Sequence, residues 1–69
     1  MSAKLSVTFD QKTGRYVLAA ERASLGAINN ALNEVCNGVA IEEPEFQTRL
    51  GCTRAEMQAL LDIISTSLR

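Results

Sequence analysis

Between Leu50 and Glu56 the chain carries a helix stop followed at once by a helix start. Gly51 suits the left-handed conformation that closes a helix. Thr53-Arg54-Ala55-Glu56 has the spacing of a capping box, in which a hydroxyl and a carboxylate each accept a backbone N–H from the other's residue. A helix, a tight turn and a second helix are therefore expected at the C-terminal end. These residues dictate architecture; they carry no chemistry of their own.

The apolar pattern around this signal supplies the rest. Leu5, Val7 and Phe9 alternate with Lys4, Ser6 and Thr8, the period of a half-buried strand. A polar turn, Asp10-Gln11-Lys12-Thr13-Gly14-Arg15, leads into Tyr16-Val17-Leu18-Ala19-Ala20, which is rich in strand formers, so a β-hairpin is expected. Ser24 is a suitable cap for a helix whose Leu25, Ile28, Ala31, Leu32, Val35 and Cys36 fall on one arc. Asn37-Gly38 reads either as a hairpin turn or as a helix terminator. The terminator is preferred because the helical stripe runs unbroken up to it. Val39 and Ile41 alternate in a short extended link, and Glu43 is expected to be extended because it precedes Pro44.

Pro44 then opens a two-turn helix with Phe46 and Leu50 as an inward pair, and Met57, Leu60, Leu61, Ile64 and Leu68 stripe the last helix. The expected fold is α+β, a single domain over residues 1–69. An antiparallel hairpin at about 4–10 and 15–20 packs against helices at about 25–37, 44–50 and 54–68, the last two forming a helix-turn-helix-like αα unit.

At 69 residues, such a chain hides only about 60% of the surface it exposes when unfolded, so its core is small and help from a partner is expected. Seven Lys plus Arg against eight Asp plus Glu leave a net charge of −1, which disfavours a chain that works by neutralising phosphates. The charge is uneven. Residues 1–23 carry Lys4, Lys12, Arg15 and Arg22 against Asp10 and Glu21, whereas residues 40–69 carry five acids against Arg49, Arg54 and Arg69. This polarity is suited to orienting two copies or a partner.

Cys36 and Cys52 are too far apart for a Cys-x-x-Cys motif, and with no histidine neither a metal site nor a cofactor is expected. Two buried thiols are the simpler reading, a disulfide between them the other. Met1-Ser2-Ala3-Lys4 leads directly into an alternating segment, and the longest apolar run is Tyr16 to Ala20, so neither a signal peptide nor a membrane span is expected. A cytoplasmic protein, most simply of a bacterium, is the expectation. Without a nucleophile beside a base or a phosphate-cradling loop, an enzyme is not expected either.

Three features remain as candidate contact surfaces. Asn29, Asn30 and Asn33 lie beside Glu34 on the polar face of the first helix, where each asparagine costs roughly 0.6 kcal/mol relative to alanine. Their amides can hydrogen-bond a partner's backbone, although a merely solvated face, with Asn29 packing at the core boundary, explains them equally well. Ala59 and Ile63, with Ala55, form a second semi-apolar face on the last helix, which either packs at the edge of the core or meets another subunit. A two-stranded hairpin also leaves both edges unpaired, and pairing Lys4 to Phe9 across a two-fold axis would build a four-stranded sheet.

The expected role is thus a small non-catalytic protein-binding domain, a homodimer through a strand edge or helix face, acting as an adaptor or inhibitor. An immunity or antitoxin-type protein is the alternative within binding, by analogy of size and charge. A helix-turn-helix DNA-binding regulator is the alternative from another class. It is disfavoured because the outer positions of the last helix, Arg54, Glu56, Gln58, Asp62 and Ser65, offer one cation and two carboxylates, and Glu42-Glu43-Pro44-Glu45 would repel phosphate.

Overall fold

A computed structural model describes residues 5–69; the expected strand start at Lys4 lies outside them. Strands β1 (Leu5–Asp10) and β2 (Arg15–Ala20) form an antiparallel hairpin, followed by α1 (Arg22–Asn33), a π-helical turn (Glu34–Gly38), α2 (Glu43–Leu50) and α3 (Arg54–Ser67). The protein is a small α+β domain.

The stop and start signals form as their residues demand. Gly51 adopts φ +75° and its N–H donates to the Gln47 carbonyl at 2.8 Å. Thr53 is extended, its hydroxyl accepts from the Glu56 N–H at 3.1 Å, and the Glu56 carboxylate accepts from the Thr53 N–H at 2.9 Å. In the hairpin turn, the Asp10 carboxylate accepts from the Lys12 N–H at 2.9 Å. Gly14, at φ +70°, donates its N–H to the Asp10 carbonyl.

Helix ends differ from expectation at three points. First, α1 begins at Arg22 with Glu21 as its N-cap residue, so Ser24 lies inside the first turn instead of capping it. The Arg22 guanidinium donates to the Leu68 carbonyl, tying the start of α1 to the end of α3. Second, α2 begins at Glu43, which is helical and not extended; Pro44 still falls among the first positions, where its missing N–H is no loss. Third, Gly38 ends the helix as a terminator without a positive φ. The Glu34 carboxyl lies in the space a Cβ would take at Gly38, so a side chain there would displace that exposed carboxyl.

The core lies among the helices. Cys36, Phe46 and Leu61 are buried, Phe46 completely at 0% exposure. Around them Leu25, Ile28, Leu32 and Val35 from α1 and its π turn, Ile41 from the link, and Met57, Ile64 and Leu68 from the end helix are half-buried. Three residues expected inside are exposed: Ala31, Leu50 and Leu60. On the two-turn α2 helix Phe46 alone is buried, and Leu50, one turn on at the helix end, is 38% exposed. Both cysteines are free thiols, Cys36 buried and Cys52 half-buried, so no disulfide joins them.

One side chain holds this arrangement together. Arg54, the first residue of α3, donates to the Cys36 carbonyl at 2.7 Å, to the Ile41 carbonyl, and through Nε to the Glu43 carboxylate at 3.2 Å. Its guanidinium also lies 4.6 Å from the centre of the Phe46 ring. It is therefore half-buried instead of facing outward, as the sequence pattern suggests. Gln58 and Ser65, also expected on the outer face, are half-buried too. The Glu45–Arg49 pair, by contrast, is an exposed i, i+4 ion pair at 3.6 Å.

Two predictions follow from these contacts. Arg54→Lys keeps the charge but loses the planar fork, and is expected to lower stability by about 2 kcal/mol in urea unfolding; Arg54→Ala should cost at least as much. An unchanged midpoint for either variant would contradict the tether. The second concerns Glu56, whose carboxyl is held below its ordinary range, first by the Thr53 N–H and then by the Thr53 hydroxyl. A carboxyl lowered on folding stabilises the fold above its unfolded pKa, and that stabilisation is lost as pH falls through the folded one. Glu56→Gln is therefore expected to unfold at lower urea than the parent at pH 7, with the difference shrinking as pH drops through the carboxylate range.

Candidate functional site

Alternation along each strand and the register between them determine what each face of the hairpin presents. Leu5 pairs with Ala20, Val7 with Leu18 and Phe9 with Tyr16. Directly opposed residues of an antiparallel pair share a face, so these six make one continuous apolar face. The other face carries Ser6, Thr8 and Asp10 opposite Ala19, Val17 and Arg15. At the tip the Phe9 and Tyr16 rings pack against each other, 5.1 Å between centroids and tilted by 57°.

The expectation of half-buried strands is not met: Leu5, Val7, Phe9, Tyr16 and Leu18 are all exposed, Tyr16 to 75%. The reason is that the apolar stripes of α1 and α3 meet each other, and β2 approaches the helices where it runs into α1. The main helical stripes are thus spent on each other and not on the ribbon. Scaling these exposures by side-chain areas of roughly 150–250 Å² gives a face on the order of 500 Å², at the upper end of what a monomer ordinarily leaves open.

The residues singled out from the sequence fall in two places. On α1, Asn29 is turned toward α3, where its side-chain oxygen accepts from the Ser65 hydroxyl at 2.6 Å. Asn33 accepts from the Asn37 amide at 3.0 Å along the same helix. Asn30 and Glu34 are exposed, the latter with its carboxyl against Gly38. The asparagine surface is thus divided between a contact inside the fold and an outward remainder. On α3, Ala59 and Ile63 are both exposed, Ile63 to 64%, and Leu60 joins them at 51%. These three form a short apolar stripe, flanked by the exposed carboxylates of Glu56 and Asp62.

The hairpin face is the feature that sequence reasoning missed. Its signal was present in the alternation of both strands, but the burial of one face was inferred from that alternation alone. Among the described residues no group of three His, Cys, Asp or Glu side chains gathers where a metal ion could be held. Comparison with protein-family models, with curated proteins and with solved structures returns no match.

Proposed function

We propose that this protein is a small, non-catalytic, cytoplasmic protein–protein interaction domain that self-associates, serving as an adaptor or inhibitor. The observation that carries this reading is the uncovered apolar face of the hairpin, from Leu5, Val7 and Phe9 across to Tyr16 and Leu18. A domain this small gains from hiding such a face, because its own core contains only a few buried side chains. Among the described residues no helix is long and apolar enough to cross a membrane, so a protein surface is the occupant proposed.

The DNA-binding alternative is disfavoured further, since Arg54, the cation on the outer positions of α3, is engaged by Cys36, Ile41 and Glu43 of the same chain. Base or phosphate contacts would require it to leave those partners. An inhibitor of the immunity type remains compatible with the same exposed face, with another protein in place of a second copy.

Light scattering across a dilution series tests the reading. The expected result is a mass twice that of the 7.5 kDa chain at micromolar concentration, falling toward the monomer on dilution. A strictly monomeric mass at all concentrations would overturn self-association and leave the face to a different protein.

A further inference from the structure

The hairpin face and the α3 stripe are two separate apolar surfaces on one chain, and we propose that they are complementary: two copies associate about a two-fold axis with the hairpin face of each lying on Ala59, Leu60 and Ile63 of the other. This rests on the self-association reading and specifies which surfaces meet.

Three arrangements of two copies are geometrically simple, and they differ in what they leave uncovered. Pairing β1 edges across a two-fold axis would extend the sheet but double the exposed apolar face, since edge pairing covers neither face of a ribbon. Stacking the two hairpins face to face would cover the ribbon but leave Leu60 and Ile63 in water, exposed as they are at 51% and 64%. Reciprocal packing engages both surfaces at once, covering the stripe and part of the hairpin face, and the interface it makes is isologous, so it closes at two copies instead of propagating.

Charge and area favour the same solution. The hairpin turn carries exposed Lys12 at the tip of the apolar face, with Arg15 and Asp10 paired on the other face of the ribbon, whereas the α3 stripe is bordered by exposed Glu56 and Asp62. Opposite rims around two apolar centres orient an encounter and disfavour the like-on-like arrangement. The stripe offers roughly half the area of the hairpin face, so two reciprocal contacts would remove roughly 1,000 Å² from water, the small end of specific interfaces. The aromatic pair Phe9 and Tyr16 supplies the kind of side chain on which binding energy concentrates.

Complementation between two surface variants tests this. Tyr16→Glu alters the hairpin face and Ile63→Lys alters the stripe; both positions are exposed, and unchanged helical circular dichroism verifies folding, with Leu60→Lys standing in for Ile63→Lys if needed. Each variant alone is expected to dimerise about 100-fold more weakly than the parent, because both halves of its interface are spoiled. An equimolar mixture is expected to recover dimer, because a mixed pair keeps one native contact and places the new glutamate opposite the new lysine. Parent-like dimerisation of the folded stripe variant would overturn the proposal while leaving self-association standing, and so would a mixture that fails to recover. A parent that is itself monomeric would instead remove the reading beneath it.

Discussion

The guanidinium of Arg54 reaches from the first turn of α3 to the π-helical turn, the link and α2, and the helical part of the protein depends on that reach. A cation at a helix N-terminus is locally unfavourable because it adds to the positive end of the dipole. Here the cost is offset by where the fork points. The Cys36 carbonyl belongs to the last turn before Gly38, where helix acceptors lack partners within the helix and a cation is favourable. Glu43 neutralises one side of the group, and Phe46 offers the face of the most deeply buried ring in the structure. One side chain thereby satisfies backbone groups that would otherwise need a longer chain to cover them.

The same economy leaves the hairpin outside. With α1 and α3 packed on each other and α2 anchored through Phe46, the main helical stripes are occupied before the strands are considered. The Gly14 turn and the Asp10 side chain close the ribbon by themselves, so it needs no helix beneath it to set its register. What results is a helical unit carrying an apolar two-stranded arm, with a second apolar stripe on α3. An isolated two-stranded ribbon is marginal in water, which makes coverage by a protein surface the physically natural completion of the fold.

Much of this was legible in the sequence, and the failures are instructive. The Gly51 turn, the Thr53–Glu56 capping box, the hairpin and its turn, and the preference for Asn37-Gly38 as a terminator all rest on short-range chemistry, which a sequence carries directly. The first residue of α1 was misplaced because a tertiary contact, Arg22 to the Leu68 carbonyl, extends the helix past the local cap signal at Ser24. Arg54 was placed outside because periodicity assigns it to the polar face, and nothing local says that carbonyls from residues 18 and 13 positions earlier will meet it. Burial of Leu50, Leu60 and one strand face was inferred from pattern, yet a pattern states only which residues share a side. Whether anything packs on that side depends on how many apolar surfaces compete for one small core. Among the candidate contact residues, Ala59 and Ile63 lie on the stripe that the proposed dimer uses, whereas Asn29 is spent on Ser65.

The central claim is that the helices form a self-contained unit and that a second copy covers the arm they leave exposed. An isotope-filtered nuclear Overhauser experiment on a mixture of labelled and unlabelled protein, at a concentration where light scattering reports dimer, addresses it without altering a residue. The account predicts cross-copy signals between the Phe9 and Tyr16 rings of one protomer and the Leu60 and Ile63 methyl groups of its partner. Cross-copy signals confined to hairpin against hairpin, or none from the aromatic pair in a sample that is dimeric, would contradict it.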